Sequence, residues 1–202
     1  MQKFIRLFSF IFHPLFIPVY ATLFYFFIAG NYYHQYEVYL LFVQVLILTV
    51  LLPVSLFYLL RSLGLIKSKL ILSRKERRIP LVFYALLLFI LLKQSFTDLV
   101  IPELYYFFLG LLISVLIILT LVILGFKPSI HMMYIAALTI LIIGISVYYH
   151  TRFINLIAFM VLCCGFTASS RLQARAHSLP ELLLGTLLGI LPQVVLWFIW
   201  MF

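Results

Sequence analysis

Acidic residues are scarce in this chain. Five of its 202 residues are Asp or Glu, and Asp98 is the only aspartate. Enzymes that act on phosphates through Mg²⁺ hold the ion with clusters of carboxylates. The shortage therefore excludes metal-dependent membrane enzymes with repeated Asp motifs, such as CDP-alcohol phosphotransferases and prenyltransferases.

Charged residues of either sign are also rare. They make up 9% of the sequence, whereas hydrophobic residues make up 66%. A soluble domain carries about 25% charged and about 45–50% apolar residues, so a water-soluble protein is excluded. Because a membrane-spanning helix needs about 20 apolar residues, we predict an all-α, polytopic membrane helix bundle. Six to seven spanning helices would fill residues 1–202 as a single domain.

Long apolar runs give seven candidate spans. They are 8–29, 38–61, 81–96, 103–125, 130–149, 153–169 and 182–201. The first run lacks a small-residue cleavage site and so predicts a spanning helix rather than a signal peptide. Thr97–Pro102 offers a break between the third and fourth spans. Pro14, Pro18 and Pro53 lie inside spans, where proline is tolerated as a kink, and we predict no function for them.

Cysteines are nearly absent as well. Cys163 and Cys164 are adjacent within an apolar run, which favours two small buried side chains over a strained disulfide. We find no Cys/His spacing typical of zinc sites. The sequence thus predicts no metal and no cofactor.

Basic residues, by contrast, are in excess and unevenly distributed. On a seven-span topology, 12 of the 14 Lys and Arg residues fall on one face, and Lys93 and Arg152 on the other. This asymmetry predicts a cytoplasmic basic face in the plasma (inner) membrane. Residues that bind phosphate would bias the count, so the side of the site stays open. The short loops argue against nucleic acid and favour phosphates or lipid head groups.

Three polar segments share that basic face: 73–80 (SRKERRIP), 127–131 (KPSIH) and 170–181. Arginine recognises phosphate through its planar fork of donors. A histidine with a carboxylate partner is the arrangement that activates imidazole as a base or nucleophile. His177 and Glu181 share a face if they lie on one helix, or lie across the first turn if Pro180 starts the last helix.

Two of these segments resemble signatures of the type 2 phosphatidic acid phosphatase superfamily. Ser170-Arg171-x5-His177-x3-Glu181 resembles the third signature, which usually ends in Asp, and Pro128-Ser129-Ile130-His131 is similar to Pro-Ser-Gly-His. The resemblance covers about 127–190. The first signature, Lys-x6-Arg-Pro, is not matched, because Ile79 separates Arg78 from Pro80. A basic cluster occupies its place in the chain.

The resemblance implies metal-independent hydrolysis of a lipid phosphomonoester or pyrophosphate through a phosphohistidine. His177 would be the nucleophile, Glu181 would orient it, and His131 would protonate the leaving oxygen and then activate water. The phosphoryl oxygens would be held by Arg171, Ser129, Arg78, Arg74, Arg77 and Lys127. The expected partners are the lipid phosphate substrate and membrane lipids; the oligomeric state stays open.

Two other functions remain possible at this point. The same site could transfer the phosphoryl group to a lipid alcohol, or the fold could bind or transport lipid without catalysis. Glu181 could also be a charge that only stabilises the start of the last helix. We predict that His13, His34 and His150 lie at the membrane interface.

Overall fold

Helices supply the regular structure of the chain. The computed structural model describes residues 2–29, 32–66, 74–96 and 101–201, with side chains except at 2–6, 74–75 and 201. Within these ranges there are nine α-helices and no strand. They are α1 (Gln2–Ile11), α2 (Ile17–Ala29), α3 (Gln35–Leu46), α4 (Leu52–Ser62), α5 (Arg74–Gln94), α6 (Pro102–Ile123), α7 (Ile130–Tyr148), α8 (Ile154–Gln173) and α9 (Leu179–Met201). The all-α prediction is confirmed.

Five helical segments are long and apolar enough to cross a membrane. They are Gln35–Ser62, Pro102–Ile123, Ile130–Tyr148, Ile154–Gln173 and Leu179–Trp200. Helix α2 has 13 residues. Helix α5 has 21 residues, enough for about 31 Å at 1.5 Å per residue, but it begins with five charged residues. The lengths and composition are those of a membrane helix bundle.

The N-terminal apolar run does not form the single helix predicted over 8–29. Helix α1 ends at Ile11 and α2 begins at Ile17. Pro14 lacks an N–H and disfavours the helical conformation at His13, which explains the break. The Phe16 N–H closes the turn by donating to the His13 carbonyl at 2.9 Å. Pro14 therefore interrupts the run instead of kinking it.

Pro53 has a milder effect. Helices α3 and α4 join through a π-helical turn at Ile47–Leu51, in which the Leu52 N–H donates to the Ile47 carbonyl. Because Pro53 has no N–H to donate, the regular ladder of hydrogen bonds is interrupted near it. The wider turn keeps the helix continuous from Gln35 to Ser62.

Helix α7 lies at the centre of the bundle. In its most apolar 18-residue stretch 67% of the residues are buried, against 17% for Gln35–Ser62. Gly185 and Gly189, one turn apart in α9, allow close approach, because a Cβ there would overlap the carbonyl oxygens of Ser129 and Met133. Small residues spaced in this way bring membrane helices into backbone contact. The starts of α7 and α9 are thus fixed against each other.

Helix α1 packs against α8. The Ser9 hydroxyl donates to the Ser170 hydroxyl oxygen at 2.7 Å, and both side chains are buried. The ring of Phe8 stacks on Phe166 with centroids 4.7 Å apart. These contacts bring the break after α1 close to the end of α8, where Arg171 lies.

Candidate active site

His177 and Glu181 meet at the start of α9. His177 Nδ1 lies 3.1 Å from Glu181 Oε2, and the Ser178 N–H donates to the same oxygen at 3.1 Å. Helix α9 begins at Leu179, so the pair lies across its first turn. Glu181 therefore does two things at once. Its carboxylate caps α9 by accepting from the N–H of Ser178, the residue before the helix, and it also contacts His177.

The partner of His177 fixes its chemistry. A carboxylate can only accept a hydrogen bond, so the proton of a neutral His177 lies on Nδ1 and Nε2 keeps a lone pair. Burial and the nearby Arg77 guanidinium lower the pKa of His177 to about 4, against the raising effect of Glu181. At neutral pH the ring is therefore uncharged and Nε2 is available as a nucleophile.

Ser129 and Lys127 hold the polar segments together. The Ser129 N–H donates to the Glu181 carbonyl at 3.0 Å, and its hydroxyl oxygen accepts from the Met132 N–H at 3.5 Å, as the cap of α7. Lys127 Nζ donates to the Ala176 carbonyl at 2.9 Å. Ser129 is completely buried. Both were predicted to hold phosphate. In the structure Ser129 ties the start of α7 to the first turn of α9, and Lys127 ties the segment before α7 to the loop before α9.

A cavity of about 550 Å³ opens beside these segments. We call it the histidine cavity, since its polar lining consists mainly of His13, His131, His177, Arg77 and Arg171. Its apolar wall comes largely from α4 and α5, including Pro53, Phe57, Leu81 and Phe83. A site of this size with convergent polar groups and an apolar wall is typical of small-ligand binding.

Arg77 is the α5 arginine that reaches this cavity. Its side chain is 8% exposed, and it is close enough to Glu181 and Arg171 for their charges to act on it. Arg78 is exposed and is not part of the lining. Arg74 is the first residue of α5, and its side chain lies outside the described part of the chain. Of the three predicted arginines in this cluster, Arg77 is the one whose described side chain lines the cavity.

Arg171 and His131 line the cavity, and their side chains have no hydrogen-bond partner among the described residues. Neither side chain makes a hydrogen bond or ion pair with any residue that the structure describes, and the Arg171 Nε is buried without a partner. Buried donors are almost always paired in folded proteins. His131 interacts electrostatically with both cavity arginines and with His177. An anion would satisfy these donors and balance their charge.

His13 is a cavity residue that sequence reasoning missed. Its ring packs edge-to-face on that of His131, with centroids 5.2 Å apart. His13 lines the cavity and is partly buried, whereas His34 and His150 are exposed near helix ends. The interfacial position of the three histidines stays a prediction. The proline that follows His13 was the available signal, because it predicts a break that could place the ring inside the bundle.

Metal ligands do not cluster in the described ranges. No group of three or more His, Cys, Asp or Glu side chains there is arranged to hold a metal ion. The described residues that line the histidine cavity include two arginines, Arg77 and Arg171, and no Asp or Glu. A negatively charged ligand would balance the charge of this lining.

Scans against protein-family models, curated proteins and solved structures find no match to this chain. The resemblance to the phosphatase superfamily therefore depends on the two sequence motifs. The function that this resemblance implies is argued below from the geometry around His177.

Proposed function

We propose that this chain is a membrane lipid phosphate phosphatase that hydrolyses a lipid phosphomonoester or pyrophosphate without a metal ion. One observation carries the proposal. A histidine paired with a carboxylate opens into the same cavity as Arg171 and His131, whose donors have no protein partner among the described residues. Fixed cations around an activated nucleophile are what phosphoryl transfer requires.

The first step forms a phosphohistidine. The lone pair on His177 Nε2 attacks phosphorus, and the bond from phosphorus to the leaving oxygen breaks. That oxygen takes a proton from the imidazolium form of His131, a form that the bound phosphate anion stabilises. The proton on His177 Nδ1 stays hydrogen-bonded to Glu181, whose charge balances the ring. Arg77 and Arg171 hold the equatorial oxygens, where charge accumulates.

The second step releases phosphate. Neutral His131 takes a proton from water as the water oxygen attacks phosphorus. The P–N bond breaks, and its electron pair returns to His177 Nε2. Inorganic phosphate leaves, and His131 is protonated again, now with a proton from the water. Each histidine thus ends the cycle in the state in which it began.

The apolar wall of the cavity fits a lipid substrate. Side chains of α4 and α5 line it beside the charged end, among them Pro53, Phe57 and Phe83. An acyl or prenyl chain can lie along this wall while the head group enters among the arginines. The juxtaposition favours a lipid over a soluble phosphate ester.

The proposal also includes the number of membrane crossings, which is larger than the number of long apolar helices. We propose six to seven crossings of the inner membrane, with α5 and the broken α1–α2 segment as the additional ones, and the site on the basic face. Single cysteines at 33 and 127, in a background with Cys163 and Cys164 replaced by alanine, test it. Labelling of both positions from the same side of sealed vesicles would contradict this arrangement.

Phosphate release from a panel of lipid mono- and diphosphates, in detergent with EDTA, tests the activity. We expect turnover by the native chain and by a His34→Ala control, and none by His177→Ala. The phosphohistidine should be trapped with labelled substrate in the native chain and not in His177→Ala. Full activity of His177→Ala, or strict dependence on Mg²⁺, would refute the mechanism.

The products separate this function from its alternatives. A phosphotransferase makes a new phospholipid and little free phosphate when a lipid alcohol is supplied, which mass spectrometry detects. A non-catalytic lipid-binding or transport protein binds the lipid phosphate and leaves it intact. Free phosphate as the main product supports the phosphatase over both.

A further inference from the structure

His13 occupies a position in the cavity that the proposed chemistry does not yet use. It lies in the break between α1 and α2, directly before Pro14, and lines the same cavity as Arg171 and His177. The break is anchored on both sides. The Ser9 hydroxyl ties α1 to Ser170, and the Phe16 N–H closes the turn onto the His13 carbonyl. The ring is therefore held in place by backbone and helix packing.

The hydrogen bonding of His13 determines what it can offer a ligand. The Leu15 N–H donates to His13 Nδ1 at 3.4 Å. Since Nδ1 is an acceptor, the proton of the neutral ring lies on Nε2. Nε2 has no partner among the residues that the structure describes. His13 thus brings one N–H donor into the cavity without adding a charge.

The surroundings of this donor favour an oxygen of an anionic group. The His13 ring contacts His131, which in the proposed mechanism acts on the leaving oxygen. The Arg171 guanidinium acts electrostatically on His13. No Asp or Glu is among the described residues that line the cavity, so no protein carboxylate competes for the Nε2–H.

We propose that His13 is a substrate-binding residue, whose Nε2–H donates a hydrogen bond to a phosphoryl oxygen next to the leaving group. The inference rests on the proposed function, since it takes the cavity to be the phosphate site. It extends that site to the N-terminal helix pair, which lies outside the segments that resemble the phosphatase signatures.

The edge-to-face contact with His131 suggests a competing role, in which the His13 ring only packs. Two substitutions separate the roles. His13→Phe keeps an aromatic ring against His131 and removes the N–H. His13→Gln removes the ring and keeps an amide N–H near the position of Nε2. His34→Phe and His34→Gln, at an exposed histidine, serve as matched controls.

The measurement is kcat and KM for the best lipid phosphate, with thermal unfolding to confirm folding. We expect kcat/KM of His13→Phe to fall about 10- to 100-fold, as for loss of one hydrogen bond to a charged group. His13→Gln should retain most of the native value, and the His34 variants all of it. Native activity in both His13 variants, or loss in His13→Gln with retention in His13→Phe, would overturn the proposal.

A second measurement separates this inference from the proposed function. Binding of a non-hydrolysable short-chain lipid phosphonate is measured in detergent by calorimetry. The phosphate contact is supported if His13→Phe binds more weakly than the native chain and His13→Gln binds about as tightly. This holds even if the native chain hydrolyses no lipid. Binding that neither substitution changes overturns it, whatever the turnover.

Discussion

Two polar clusters lie in this apolar bundle, and they differ in how their hydrogen bonds are satisfied. In the first, Glu103 is 7% exposed and accepts from Tyr25 at 3.0 Å and from Tyr149 at 2.8 Å. Tyr25 also contacts the Tyr33 hydroxyl at 3.0 Å. We call these four residues the Glu103 cluster. In the histidine cavity, by contrast, the side chains of Arg171 and His131 make no hydrogen bond with the described residues.

This difference indicates a structural role for the Glu103 cluster and a ligand-binding role for the histidine cavity. A buried polar network in which each member has a partner stabilises a fold, and it joins α2, α6 and α7 here. A buried donor without a partner, such as Arg171 Nε, costs stability unless a ligand completes it. We therefore expect substitutions in the Glu103 cluster to affect unfolding, and substitutions in the histidine cavity to affect activity.

The largest expected effect comes from the nucleophile. His177→Ala should lower kcat by about 10³-fold or more, as for loss of a nucleophile in other enzymes. Its thermal unfolding in detergent should change little, because His177 contributes one side-chain hydrogen bond to the fold. Loss of activity through general unfolding would remove the contrast between the two clusters.

Glu181→Gln should have the next largest effect. Glutamine can still accept from the Ser178 N–H but has no charge to stabilise a positive His177, so we expect kcat to fall about 10²-fold. Burial holds the pKa of His177 at about 4, and Glu181 raises it. The acid limb of the native kcat/KM profile should therefore lie well below pH 6.5, and Glu181→Gln should move it lower still. An upward shift would contradict this pairing.

Much of the fold and part of the site could be predicted from the sequence. The apolar runs gave the helices, because twenty apolar residues in succession leave few alternatives in a membrane. The pairing of His177 with Glu181 followed from local spacing. Which arginine of α5 reaches the cavity depends on how that helix is rotated against its neighbours, so the sequence could not separate Arg77 from Arg74 and Arg78.

Contacts between distant segments could not be predicted in the same way. The break at Pro14 and the packing of α1 on α8 together bring His13 to His131. The Tyr149 hydroxyl, just after the end of α7, donates to Glu103 in α6. Such polar pairs leave no periodic signal in the sequence. The close approach of α7 and α9 did leave one, in the spacing of Gly185 and Gly189.

Gly185→Ala tests that approach with a smaller effect. Its Cβ would overlap the Ser129 carbonyl, and backbone cannot move aside as a flexible side chain can. We expect a loss of about 1–3 kcal/mol in the free energy of unfolding, with reduced activity because the Ser129–Glu181 backbone contact is strained. Gly165→Ala in α8 is the control, since its Cβ meets nothing within 4 Å. Equal stability of the two variants would contradict close packing at Gly185.

The smallest expected effect is at the other polar cluster. Glu103→Gln keeps one carbonyl oxygen for a tyrosine and replaces the second acceptor with a donor, so one of the two tyrosine hydroxyls loses the acceptor of its proton. We expect the free energy of unfolding to fall by about 1–2 kcal/mol, measured by thermal unfolding in detergent. Turnover per folded molecule should match the native chain, because Glu103 lies outside the histidine cavity. Tyr36→Phe, at an exposed tyrosine, is the control. A fall in turnover without a fall in stability would mean that the Glu103 cluster takes part in the reaction, and that satisfied hydrogen bonding does not separate the two clusters by role.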